Sequence, residues 1–281
     1  MNIGRIVNMM LEDHLGDIIR KARVAAGVEA SRVATAAGLT LDELGALEQS
    51  GVVVKSPNYA EFAPLIDLVA SKLERIASGW LPAPIDYSVY RHLRVITTAG
   101  DDMTVNAYLI WDDVTREAAL FDTGFDIGPV VKLVEEHGLY LRHLFITHSH
   151  EDHIAAITPL RDLFPKIKLH SNMAAVPSEQ RIQLNDAVIL GGLRISSRET
   201  PGHCADGVTY VVEGFPESAP NVAIIGDCIF AGSMGRPNQS VALLKQKVRE
   251  QIFTLPKTTL VCPGHGPLTT IDEQLEVNPF F

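Results

Sequence analysis

The sequence has few cysteines, no long apolar run and no excess of basic residues, and each shortage excludes a class of protein. The three cysteines, Cys204, Cys228 and Cys262, cannot all pair, so we expect a reducing cytosol and no disulfide framework. No apolar run approaches the roughly 20 residues that span a bilayer. The formal net charge of −10 argues against a nucleic acid or an anionic membrane as the main partner.

The first residues also lack the basic and apolar regions of a secretion signal. Glu12, Asp13 and Asp17 stand there instead, so we expect no signal peptide and a cytoplasmic protein. Hydrophobic residues make up 46% of the chain and charged residues 21%, which is the balance of a soluble globular protein. This composition excludes wholesale disorder.

Residues 1–80 have the pattern of a small all-α domain. Apolar residues recur at helical spacing, and a capping box formed by Thr40 and Glu43 opens one of the helices. The pattern predicts four helices: one on Leu15, Ile18, Ile19 and Ala22 that Gly27 ends, one capped by Ser31 and closed by Gly38, one over residues 41–49, and one over residues 59–76. Helices this short must pack on one another to be stable.

The pattern changes near residue 82, where prolines interrupt the helical spacing and short strands begin. Strands are predicted over residues 91–98, 104–111, 117–121, 141–146, 208–212 and 222–225, with helices over residues 127–137 and 241–253. Strands mixed with covering helices indicate a layered α/β domain. We place this domain at residues 86–281.

Five of the ten histidines fall into three clusters of a kind that binds metal. The first cluster, His148, His150, Asp152 and His153, directly follows an apolar run. In an extended stretch His148 and His150 point the same way, and the first turn of a helix would aim Asp152 and His153 back at the same space.

The other two clusters each place a histidine, His203 or His265, on a Pro-Gly turn after an extended segment, and Asp227 ends a strand between them. Imidazoles and carboxylates are the ligands of zinc, and also of iron and manganese. Five histidines and two aspartates exceed the needs of one tetrahedral ion. Two ions sharing a carboxylate are therefore expected.

These residues resemble the metallo-β-lactamase superfamily, and within it the short bacterial form of the glyoxalase II-like hydrolases. The resemblance covers residues 86–281 and includes the segments at 105–108, 121–124, 226–232, 263–267 and 278–281. It implies an αββα sandwich with two divalent ions, zinc first and iron or manganese as alternatives, at the edge of two sheets. It also implies ligand sets: His148, His150 and His203 for the first ion; Asp152, His153 and His265 for the second; and Asp227 between them.

The resemblance further implies hydrolysis of a small thiolester or related ester by a hydroxide held between the two ions. Asp152 would orient that hydroxide, and Asp122 would hold a ligand histidine through its other nitrogen. Arg236 matches a basic position where glyoxalase II enzymes contact glutathione, but Asn238 stands where those enzymes have tyrosine.

Two alternatives stay open at this point. Persulfide dioxygenases bind one iron with three of these ligands, here His148, His203 and Asp227. Residues 15–51 resemble the helix-turn-helix of XRE-type repressors, which admits a transcription regulator whose hydrolase fold is a sensor. A sensor would have no chemical need of all seven ligands, so the hydrolase is favoured.

We expect this helix-turn-helix-like domain not to bind DNA tightly. Residues 1–80 carry 8 Lys+Arg against 10 Asp+Glu, and the helix in the recognition position holds Asp42, Glu43 and Glu48 but no basic residue. Carboxylates there would face the phosphates and lack donors for guanine. We therefore assign the domain to packing, partner docking or the formation of a homodimer.

Overall fold

Two β-sheets packed face to face form the centre of the protein. The computed structural model describes residues 10–100, 103–176, 181 and 187–281. No helix among these residues has the length and apolar character needed to cross a bilayer.

The first sheet has five strands in the order β1-β2-β3-β4-β5, antiparallel from β1 to β3 and parallel from β3 to β5. Its strands are β1 (Leu93–Ala99), β2 (Thr104–Trp111), β3 (Glu117–Phe121), β4 (Tyr140–Phe145) and β5 (Lys168–His170). The predicted strands β2 and β3 occur with the predicted bounds, because both are apolar segments closed by polar turns.

The second sheet has six strands in the order β13-β12-β9-β8-β7-β6. Its strands are β6 (Ala187–Leu190), β7 (Leu193–Glu199), β8 (Val208–Glu213), β9 (Val222–Gly226), β12 (Leu260–Pro263) and β13 (Thr269–Thr270), and a separate hairpin joins β10 (Ile229–Phe230) to β11 (Ser233–Met234). Strands β9 and β12 are parallel, and every other pair is antiparallel. As a result β7, β9 and β12 all end at the same edge.

Helices cover the outer faces of both sheets. They are α6 (Gly128–His137), α7 (Glu151–Ile154), α8 (Ile157–Leu163), α9 (Val241–Lys247) with a π-turn over Val248–Ile252, and α10 (Ile271–Val277). Along β2 the side chains alternate, with Tyr108 and Ile110 in the core between the sheets and Leu109 in the core under α6 and α8. The expected four-layer αββα arrangement is therefore observed.

The N-terminal residues form a helical module of α1 (Leu15–Ala25), α2 (Ala30–Ala37), α3 (Leu41–Ser50), α4 (Tyr59–Phe62) and α5 (Ala70–Ala77). The capping box of Thr40 and Glu43 opens α3 as predicted. Two predictions are wrong in detail. Glu29, not Ser31, is the N-cap of α2, and the single helix predicted over 59–76 is broken by a 3₁₀ turn over Ala63–Ile66 that contains Pro64 and ends at Asp67 in the left-handed region.

The helical module packs on the outer face of the second sheet and shares one continuous core with α9 and α10. Polar contacts reinforce this packing. The Nζ of Lys72 donates to the carbonyls of Leu275 and Phe281, and the Nζ of Lys245 donates to the carboxylate of Asp67. The module is thus joined to both a helix and the C-terminal end of the α/β part.

Candidate metal centre

The clustered histidines and aspartates come together at the edge where the strands of both sheets end. His148, His150, Asp152 and His153 follow β4, with Asp152 and His153 in the first turn of α7. His203 follows β7, Asp227 follows β9, and His265 follows β12. Because β4 in one sheet and β7, β9 and β12 in the other end at this edge, residues far apart in the chain face one another.

The first group consists of His148, His150, His203 and Asp227, whose donor atoms all lie within 4.8 Å of one another. The Nδ1 of His150 lies 3.0 Å from the Nε2 of His148 and 2.9 Å from the Nε2 of His203. The Asp227 Oδ2 lies 3.4 Å from the Nε2 of His203. Three imidazoles and a carboxylate therefore converge on one point.

The second group consists of Asp152, His153 and His265. The Nε2 of His265 lies 3.1 Å from the Asp152 carboxylate, and the Nε2 of His153 lies 3.4 Å from it. Both histidines also lie 3.4 Å from Asp227, which places that carboxylate between the two groups. The structure groups the seven residues as the resemblance implies.

The donors fit two divalent cations. The Nε2 of His153 and the Oδ1 of Asp227 are buried without a hydrogen-bond partner, although buried polar atoms are normally satisfied. A Cβ at Gly264 would lie 2.2 Å from that Oδ1 and 2.6 Å from the His153 ring, so only glycine leaves the space open. Nitrogen and carboxylate donors suit zinc, iron and manganese alike, so the cluster is suited to two metal ions without specifying the element.

Hydrogen bonds to the far nitrogens hold four of the rings in place. The Nδ1 of His153 lies 2.8 Å from the carboxylate of Asp122, which also accepts from the backbone N–H and the hydroxyl of Thr147. The Nδ1 of His148 lies 3.1 Å from the same hydroxyl. The Nδ1 atoms of His203 and His265 lie 2.7 Å and 2.6 Å from the carbonyls of Arg236 and Thr104. Donation from each Nδ1 leaves the Nε2 lone pair free to face the ion.

The sequence predicts Asp122 as the partner of a ligand histidine, but it predicts neither the two carbonyls nor Thr147. A backbone carbonyl gives no signal in residue type, so only the fold could bring those of Thr104 and Arg236 beside the histidines. The side chain of Arg236 is exposed. The position of this residue thus serves His203 through its main chain, independently of any substrate contact by the guanidinium.

Opposite charges within the cluster govern its protonation. Burial alone would lower the pKa of His265, but hydrogen bonds with Asp152 and Asp227 raise that pKa to about 11. Burial likewise opposes protonation of His153, yet Asp122 and Asp227 raise its pKa to about 10. Burial and the neighbouring His153 hold the pKa of His148 well below its usual value.

The two cysteines beside the cluster are not among its donors. Cys228 is buried, its thiol donates to the carbonyl of Thr200 at 3.7 Å, and burial raises its pKa to about 11. Burial also raises the pKa of Cys204, whose sulfur lies 3.9 Å from the Ser149 hydroxyl. A protonated thiol is a poor metal ligand, which agrees with a packing role.

The sequence profile of the Metallo-beta-lactamase superfamily matches residues 100–265. This range includes all seven donors. It begins after the helical module.

Two curated relatives differ in their named activities. Persulfide dioxygenase ETHE1 of Homo sapiens is 30% identical over 181 residues, which cover 61% of this chain and 69% of the relative. The hydroxyacylglutathione hydrolase GloC of Haemophilus influenzae is 28% identical over 200 residues, which cover 62% of this chain and 92% of the relative.

Two solved structures share the fold at similar identity. The BLEG-1 B3 metallo-beta-lactamase is 27% identical, with a TM-score of 0.57, over 66% of this chain and 99% of that one. The protein TTHA1623 in a di-iron-bound form is 26% identical, with a TM-score of 0.52, over 66% of this chain and 100% of that one.

Proposed function

Because this chain belongs to the metallo-β-lactamase superfamily, we propose that it hydrolyses thiolesters or related esters of small molecules with the help of two divalent cations. The observation that carries the proposal is the position of Asp227, 3.4 Å from histidines of both donor groups. A carboxylate shared by two cations offsets the repulsion between them. The position of Asp227 therefore suits a centre in which each donor group binds one ion.

Two bound cations would acidify a water molecule and polarise the carbonyl of the substrate. The residues of the chain would then orient the reactants. Asp152, whose side chain is 14% exposed, faces both the cluster and solvent and can accept a hydrogen bond from the attacking water. The water oxygen bonds to the acyl carbon, the carbon–sulfur bond breaks, and the thiol leaves with a proton.

A mononuclear iron persulfide dioxygenase is the second candidate, supported by the similarity to the human enzyme. Its three expected ligands, His148, His203 and Asp227, all lie in the first group. The complete second group, with Asp122 placed behind His153, favours the hydrolase, because one iron would leave these buried donors without a role.

Metal analysis and an activity panel test this choice. We expect close to two ions per chain, and hydrolysis of at least one thiolester that is lost on chelation and restored by Zn²⁺, Fe²⁺ or Mn²⁺. One tightly bound iron per chain, with oxygen uptake on glutathione persulfide and no thiolester hydrolysis, would establish the dioxygenase instead.

We propose that the helical module does not serve as a DNA reader. Glu48 of α3 turns inward to a bidentate ion pair with Arg23, at 2.7 Å for each bond, and the exposed residues of α3 include no lysine or arginine. In a gel-shift assay of the full chain with DNA selected from a random pool, we expect no sub-micromolar, sequence-selective binding at physiological salt. Such binding would favour the regulator.

A further inference from the structure

The segment that precedes α1 passes directly over the turn that carries His265. A Cβ at Gly266 would lie 3.0 Å from both the backbone nitrogen and the Cβ of Glu12. Gly266 also has φ +71°, so this turn is restricted to glycine both by its conformation and by the contact. A residue of the helical module therefore borders the metal centre.

Contacts of the neighbouring residue fix this segment in place. The carboxylate of Asp13 accepts hydrogen bonds from the Nζ of Lys21 and the hydroxyl of Ser233, both at 2.5 Å. The same Nζ donates to the carbonyl of Met234 at 2.7 Å. Asp13 and Lys21 are largely buried, so they hold the backbone of Glu12 against the β10–β11 hairpin.

The carboxylate of Glu12 has no such partner. Within the described part of the chain, no hydrogen bond or ion pair reaches it, and the residue is exposed. Although the residue is exposed, neighbouring residues keep part of the water away from its carboxylate, and this desolvation raises the pKa of Glu12. Attraction to His265 opposes that rise, and repulsion from Asp13 and Asp227 adds to it. Glu12 therefore places a carboxylate beside the turn that carries His265, at the rim of the metal centre.

We propose that Glu12 is a specificity-determining residue that favours substrates with a positive charge in the group beside His265 and disfavours those with a carboxylate there. The proposal rests on the hydrolase function proposed above. Two divalent cations offset by Asp152 and Asp227 would leave the centre positive and attract anions without discrimination. A carboxylate carried at its rim by a backbone that is held in place supplies the repulsion that selectivity between charged substrates requires.

The size of the effect follows from Coulomb's law. For unit charges several ångströms apart at a partly solvated rim, removal of one charge is expected to change the relative kcat/KM of oppositely charged substrates by about 3- to 10-fold. A neutral substrate of the same shape should change by less than about twofold. The effect should weaken as salt is added.

Two series of thiolesters test the proposal in the full metal-loaded protein. One series varies the charge of the thiol, with acetyl esters of thiocholine, 2-mercaptoethanol and 3-mercaptopropionate. The other varies the charge of the acyl group, with glycyl, acetyl and succinyl esters of 2-mercaptoethanol. Glu12→Gln should lower the preference for the cationic member in at least one series, and Glu12→Lys should lower it further. Glu61→Gln, an equal charge change on the exposed side of α4, should not.

A binding measurement separates this proposal from the proposed function. Calorimetry gives the Kd of thiocholine and of 3-mercaptopropionate for the same variants. If no thiolester is hydrolysed but the ratio of the two Kd values shifts in Glu12→Gln, the hydrolase function fails and the role of Glu12 stands. If hydrolysis is found and neither series nor the Kd ratio responds to Glu12→Lys, the role of Glu12 is refuted.

Discussion

The carboxylate of Asp122 offers a direct test of how the metal centre is organised. It is buried at 1% exposure and accepts three hydrogen bonds: from the backbone N–H of Thr147 at 2.7 Å, from the Thr147 hydroxyl at 2.8 Å, and from the Nδ1 of His153 at 2.8 Å. Its backbone has φ +57°, a conformation that asparagine also tolerates. Asp122→Asn therefore removes the charge with little change of shape.

The expected loss follows from these contacts. The amide oxygen of asparagine can keep the bond from the Thr147 N–H, but its NH₂ group is a donor and would face the ring N–H of His153. One charge-assisted hydrogen bond to a metal-facing imidazole is lost, which corresponds to about 10- to 100-fold in metal affinity, or about 1.4–2.7 kcal/mol.

Because Asp122 contacts His153 directly and reaches His148 of the first group only through the Thr147 hydroxyl, the larger loss should fall on the second ion. Stepwise metal titration of Asp122→Asn should show one site near wild-type affinity and one weakened site. Asp162→Asn on α8 is the matched exposed control. Equal weakening of both sites, or affinities within twofold of wild type, would refute the assignment of Asp122 to His153.

Four further expectations concern single residues. Asp227→Asn should lower occupancy of both ions and abolish hydrolysis, which elemental analysis and kinetics can check; two retained ions would contradict its central position. Burial opposes protonation of His153 and His265, but nearby carboxylates raise their pKa values to about 10 and about 11, so both rings carry a proton that a metal ion must displace. Loading the chelated protein with Zn²⁺ in weak buffer should therefore release protons. Burial and the nearby His143 lower the pKa of His170 to about 4. Between about pH 6.5 and pH 4 the unfolded state therefore binds more protons than the folded state, and the free energy of unfolding should fall as the pH drops through this range. Denaturation of His170→Gln at several pH values should show a flatter pH dependence. Arg236→Ala should raise KM more than it lowers kcat if the guanidinium binds an anionic substrate group, and unchanged kinetics would leave it a surface residue.

Periodicity predicted the elements that bury one or two apolar faces. The pattern Leu15, Ile18, Ile19 and Ala22 predicted α1 because each of these side chains enters the core. Strands β5, β6, β10, β11 and β13 were not predicted, since segments of two to four residues carry too little periodicity. The break after Phe62 was missed because apolar spacing continues across a turn that Pro64 and Asp67 impose.

In the candidate site, residue type predicted some positions, and only the fold revealed others. His148, His150 and Asp152 could be singled out because imidazoles and carboxylates are rare at that density outside metal sites. The place of Glu12 could not be predicted, since an acidic residue in the segment before the first helix carries no signal that links it to His265. Only the docking of the helical module brings the two together.

The shared core of the helical module has a consequence for chain cleavage. The backbone N–H of Val69 donates to the carbonyl of Pro279, and the Nζ of Lys72 donates to the carbonyl of Phe281, so the C-terminal end of the α/β part contacts the module. The connecting stretch exposes Leu81, Tyr87 and Val89, and none of these three side chains belongs to the shared core. A protease cut there would sever the polypeptide but not the core, and the two fragments should stay together as a noncovalent complex that separates only when the whole protein unfolds.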